Sequence, residues 1–141
     1  MLLTKECDYG FRIVRSLHKG DKKTVKAICD AELIPEKYAY KILKKMEKGG
    51  ILQSIRGRDG GYKLVKDLWD FNIFDISVAV EEKVYVFECL KADNHCTFKG
   101  HGEGCVVHKE LNRIQEHLIS QMKARTMAEI LDIPKEDKKE K

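Results

Sequence analysis

No stretch of this chain approaches the roughly 20 consecutive apolar residues that a membrane-spanning helix requires. Charged residues make up 35% of its 141 positions, which points the same way. Residues 1–8 lack a basic segment followed by an apolar one, so no secretory signal is read and a cytoplasmic protein is expected. A phosphate-binding glycine loop, a nucleophile motif and a carboxylate–histidine pair are all missing, so the chain does not read as an enzyme. There are no internal repeats. Five cysteines are present, but not as the close Cys-x2–4-Cys pairs of structural zinc sites. In a reducing compartment they are thiols or metal ligands rather than disulfides.

Hydrophobic residues supply 43% of the chain, enough for a real core, and the net charge is +4. That charge is unevenly spread. Residues 1–66 hold 16 Lys and Arg against 8 Asp and Glu, a balance of +8; residues 67–141 hold 11 against 15, a balance of −4. The basic half is the candidate nucleic-acid half.

Periodicity and capping signals divide that half into short elements. Thr4 opens a helix over residues 4–19, with Tyr9, Ile13, Val14 and Leu17 at helical spacing. A second helix fits residues 24–31, facing Val25, Ile28 and Cys29 inward. After a break at Glu32-Leu33-Ile34, Pro35 suits the first turn of a third helix that buries Tyr38, Ala39, Ile42, Leu43 and Met46. Gly49-Gly50 stops it. Two short helices joined by a tight break form a helix-turn-helix. Alternation over residues 51–56, the turn signal Asp59-Gly60-Gly61 and a return over residues 62–65 predict a hairpin directly after it, in the position of a wing.

Beyond Lys66 a connector holds Trp69, read as a packing residue, and Asp75 is expected to cap a short helix running to Glu82. Residues 88–104 show no apolar period and read as a loop. A long helix follows over residues 106–125, with Leu111, Ile114, Leu118, Ile119 and Met122 on one stripe. Thr126 and Glu129 have the capping-box pattern. After Pro134 the tail is nearly all charged and is expected to be disordered. The predicted fold is mostly α with a small β-hairpin wing: a winged helix-turn-helix over residues 1–66, then the connector, cysteine loop and dimerisation helix over 67–131, then the tail over 132–141.

The third helix offers Lys37, Tyr40, Lys41, Lys44 and Lys45 on the face its apolar stripe leaves open. A helix of this kind fits the major groove of duplex DNA, with its first turns at base edges and Lys44 and Lys45 at phosphates. Arg56 and Arg58 flank Gly57 in the hairpin, where an arginine can enter the minor groove.

The segment Gly50-Ile51-Leu52, continuing as Ser54-Ile55-Arg56-Gly57-Arg58-Asp59-Gly60-Gly61-Tyr62-Lys63-Leu64, together with Leu3-Thr4-Lys5 and Asp8-Tyr9, resembles the bacterial regulator family that includes IscR, NsrR and CymR. Ala79-Val80-Glu81 and the cysteine region extend the likeness to about Leu131. The resemblance implies a homodimer held by the long helix and bound to a palindrome-like DNA operator.

Cys89, Cys96 and Cys105 share the loop with His95, His101 and His108. Thiolates are the soft ligands that iron–sulfur units prefer, and three on one glycine-bearing loop can wrap a 2Fe–2S or 4Fe–4S cluster. A fourth ligand must come from elsewhere. The family resemblance implies two candidates: His108, three residues after the last cysteine, as in IscR-like members, or Asp8 from the other subunit, as in NsrR-like members. Six residues separate Cys89 from Cys96 and eight separate Cys96 from Cys105, both gaps longer than the family pattern, so cluster type stays open. A zinc site and a metal-free loop are the alternatives. Cys7 and Cys29 lie among apolar neighbours and read as core thiols. The functional expectation is a transcription regulator, read as a repressor, whose operator affinity follows an iron–sulfur cluster. The alternative is a cluster-free or zinc-binding regulator of the same fold controlled by a protein partner, as in CymR-like members.

Overall fold

The computed structural model describes residues 3–94, 96 and 104–135. Three helices come first: α1 (Lys5–Leu17), α2 (Val25–Glu32) and α3 (Glu36–Lys48). Thr4 and Thr24 cap α1 and α2, their hydroxyls accepting from the amides of Cys7 and Ala27. Pro35 stands one place earlier than the sequence suggests, as the N-cap of α3 rather than inside its first turn. Leu33 closes α2 in the left-handed region at φ 54° and is 81% exposed, a position that favours glycine. It makes the break between α2 and α3 only a few residues long.

Strands β1 (Leu52–Ile55) and β2 (Gly61–Leu64) pair antiparallel, Leu52 opposite Leu64 and Ile55 opposite Gly61. Gly57 takes φ 119° in the turn between them. Gly61 is required for a different reason: a Cβ there would lie 2.3 Å from the Lys23 carbonyl oxygen. That approach lets Lys23 and Tyr62 exchange backbone hydrogen bonds of 3.0 and 2.9 Å, which fastens the hairpin to the α1–α2 connection.

Helix α4 (Ile73–Glu81) is capped by Asn72, not by Asp75. The two form a reciprocal capping box in which Asp75 is the third helical residue and accepts from the Asn72 amide at 3.0 Å. A short 3₁₀ turn (Glu88–Leu90), α5 (Val106–Lys123) and α6 (Met127–Ile130) complete the described chain. Thr126 and Glu129 form the expected box on α6. Among the described residues no helix is long and apolar enough to cross a membrane.

One core joins the two halves of the sequence. Ile13, Val14, Leu17, Ile28, Ile42, Leu43 and Met46 pack with Phe71, Ile76, Val80, Met127 and Ala128, all buried. The chain returns after α5 because the amides of Met127 and Ala128 donate to the carbonyls of Phe71 and Leu68, at 2.8 and 2.9 Å. Cys7 and Cys29 are buried in this core, and Trp69 packs against it. Tyr38, expected inside, is 40% exposed: its ring leans on Tyr9 at 6.0 Å between centroids, and the Nζ of Lys37 lies over it at 4.9 Å. Buried residues are few on α5. Of its apolar stripe only Met122 is buried, while Ile114 is 39% exposed.

Candidate nucleic-acid interface and cysteine segment

Helix α3 buries Ala39, Ile42, Leu43 and Met46, which lie on one side at about 100° per residue. The opposite side carries Lys37, Lys41, Lys44 and Lys48, all exposed, with Tyr40 at its edge, 52% exposed. Lys48 is not among the residues expected on this face from the sequence. The signal for it was plain i+4 spacing from Lys44.

Lys45 sits differently. It lies toward α1, with its Nζ 2.9 Å from Oε2 of Glu6, while the Nζ of Lys41 is 2.7 Å from Oε1 of the same carboxylate. The hydrogen bonds from Lys41 and Lys45 hold the Glu6 carboxyl below the usual carboxylate range, and Glu6 in turn raises Lys41. Glu6 was also missed: it is 35 residues from Lys41, and no local pattern reports such a pair.

The hairpin is fixed to α3 through Glu47. Its Oε1 accepts from the Ser54 amide at 2.8 Å and the Ser54 hydroxyl at 2.6 Å. Those two donors, hydroxyl first, lower the Glu47 carboxyl below its ordinary value. Glu47 lies off the buried stripe, so the hairpin springs from the open side of α3. Arg56, Gly57 and Arg58 are exposed at its tip. The structure therefore gathers Lys37, Tyr40, Lys41 and Lys44 on one helix face and sets Arg56 and Arg58 on a hairpin anchored beside it. A polyanion could meet both at once.

The cysteine segment is held at its two ends. The Val86 amide donates to Oε1 of Gln115 on α5 at 2.9 Å, and the following turn, which contains Cys89, packs on α5. At the far end Cys105 is the N-cap of α5, its sulfur accepting from the His108 amide at 3.4 Å. Cys89 and Cys105 are half-buried free thiols and Cys96 is an exposed one. His95 and His101 lie outside the described residues, as does the tail from residue 136. Asp8 is on α1, half-exposed, with Oδ2 2.9 Å from Nη2 of Arg12.

Three soft sulfur donors on a segment tethered at both ends suit an iron–sulfur unit better than a hard cation. Among the described residues no three His, Cys, Asp or Glu side chains converge as a ready-made metal site. The turn holding Cys89 packs on α5, and Cys105 with His108 starts that helix; among the described residues these groups do not converge as a set of three.

A family model named Rrf2, described as iron-dependent transcriptional regulator, matches residues 3–133. The chain is 28% identical over 141 residues to the HTH-type transcriptional regulator NsrR of Geobacillus kaustophilus, covering 94% of this chain and 90% of that protein. It is 28% identical over 94 residues to protein aau3 of Rhizobium meliloti, covering 65% of this chain and 61% of that protein. Among solved structures, CymR (YrzC), the global cysteine regulator of B. subtilis, superposes with a TM-score of 0.71 at 19% identity, covering 95% of this chain and 98% of that one. At that identity the likeness is one of fold.

Proposed function

This chain belongs to the Rrf2 family of iron-dependent transcriptional regulators, and from that premise we propose that it is a homodimeric repressor whose grip on operator DNA is set by an iron–sulfur cluster. Residues 1–66 are the DNA-contacting unit. Residues 67–131 carry the cysteine segment and the dimer helix.

The observation that carries the DNA half is the open lysine face of α3 with the Glu47-anchored wing beside it. Lys37 and Tyr40, in the first turns, are the base-edge readers, and Lys41, Lys44 and Lys45 are the phosphate contacts. Arg56 and Arg58 reach the minor groove. The stripe of α5, with Ile114 exposed and Leu111 and Leu118 half-buried, supports pairing with a second copy, which would remove the remaining apolar surface from water.

Cys89, Cys96 and Cys105 would hold the cluster, with the partner subunit's Asp8 or this chain's His108 as the fourth ligand. When bound, the cluster supplies a centre that responds to iron supply and to oxidants. The chain's own residues do the rest. The Cys105 thiol starts α5, and the Gln115 clamp ties the Cys89 turn to the same helix, so ordering the segment fixes the start of the dimer helix. Ligand occupancy shifts DNA affinity only if the two dimer geometries hold the ligand differently. Asp8 gives the larger difference, because it belongs to the DNA-contacting unit.

Binding to duplex DNA measured against salt tests the DNA half. A steep fall of affinity with rising salt is expected, since each neutralised phosphate releases counterions. Two half-sites about one helical turn apart should bind best. Affinity that ignores salt, or that prefers a single half-site, contradicts it.

A further inference from the structure

Two of the lysines on α3 already have an anion. Each oxygen of the Glu6 carboxylate takes one ammonium, Lys41 at 2.7 Å and Lys45 at 2.9 Å. The carboxylate is 24% exposed at its side chain, more sheltered than the single-turn surface pairs Lys26–Asp30 and Arg113–Glu110. Shelter matters because ion pairs weaken with solvent screening. Glu6 also sits in the first turn of α1, where the helix dipole favours negative charge. So the carboxylate is stabilised from three sides, by two ammonium groups and a helix end.

From this geometry we infer that Glu6 is a built-in competitor for DNA phosphate, holding Lys41 and Lys45 on α1 and lowering the affinity of the α3 face for any duplex. The inference rests on the reading of α3 as the DNA-contacting helix and goes beyond it. A phosphate approaching Lys41 must displace Glu6 or share the ammonium with it. With Glu6 in place the three charges sum to +1 rather than +2, so fewer counterions are exchanged on binding. Among the described residues Lys37, Lys44 and Lys48 form no salt bridge; Lys37 lies over the Tyr38 ring at 4.9 Å, and all three are exposed and meet phosphate directly.

The test is a salt titration of binding to a duplex of arbitrary sequence, with the full chain. Glu6→Gln should tighten binding at low salt. It should also steepen the dependence of log K on log salt by about 1 to 2, since each added phosphate contact contributes roughly 0.9. Glu110→Gln, the same charge change on exposed α5, should leave the slope alone. Adding Lys41→Gln to Glu6→Gln should take back about half of the gain. A Glu6→Gln slope equal to that of Glu110→Gln overturns the inference while leaving α3 as the DNA helix. A wild-type chain with no salt dependence at all overturns the DNA reading itself.

Discussion

Asp8 reaches Arg12 one turn along α1, its Oδ2 2.9 Å from the guanidinium Nη2, and the same Arg12 donates through Nη1 to the Glu32 carbonyl at the end of α2. An aspartate read as a cluster ligand is thus held, in the single chain, by an arginine that also touches the turn of the helix-turn-helix. An exposed i,i+4 pair contributes only about 0.3–0.5 kcal/mol, so removing it should barely disturb the fold. Asp8→Asn is therefore a clean probe of ligation. It should leave thermal unfolding nearly unchanged, yield a labile cluster and uncouple cluster loss from operator affinity. His108→Ala should have the larger effect on cluster lifetime if the fourth ligand is His108 instead. Comparing cluster decay in the two variants decides between them.

Arg56→Ala should weaken operator binding by roughly 1–3 kcal/mol, the range for a sequence-reading contact. Titration of a labelled operator measures it. Unchanged affinity would take Arg56 out of the interface and leave Arg58 as the wing's only arginine there.

The α5 stripe predicts the assembly. Leu118→Glu should give a monomer by light scattering, with weak operator binding and an intact winged domain by circular dichroism. A chain still dimeric after that change places the twofold axis elsewhere.

Acid should loosen the tie between α1 and α3. The folded-state carboxyl of Glu6 is lowered by Lys41 and Lys45. Its contribution to stability is therefore fully present above the ordinary carboxylate value of about 4.3 and is lost as pH falls through the lowered one. Urea unfolding between neutral pH and about pH 3 should show Glu6→Gln losing less stability than wild type. Glu47, Glu110 and Glu129 shift in the same direction and will leave a residual slope in both. Identical pH profiles would show that the tie contributes nothing.

The helix ends were legible because their signals are local. Thr4 and Thr126 cap where their hydroxyls were expected to, and Gly49-Gly50 ends α3; Thr24, read as the first residue of α2, is its N-cap. Misreadings came where a signal has two members or a long reach. Asn72 and Asp75 cap each other, and the sequence does not say which of them is the N-cap. Tyr38 fits the apolar stripe by spacing, yet it sits at the margin, beside the Tyr9 ring and the Lys37 ammonium. The Glu6 tie and the Glu47–Ser54 anchor depend on the tertiary approach of separate elements, which periodicity does not encode. The cysteine segment was legible only as composition, because it has no apolar period to orient it.

Under the proposed function a cluster on Cys89, Cys96 and Cys105 sets operator affinity. The most direct measurement is the visible absorption spectrum of protein purified without air, taken alongside operator titrations of the same sample before and after the iron is removed. The expected result is a coloured protein, colour abolished in Cys96→Ala, and operator affinity that changes when the colour is lost. A colourless preparation with stoichiometric zinc, or one without metal that binds its operator fully, would contradict it.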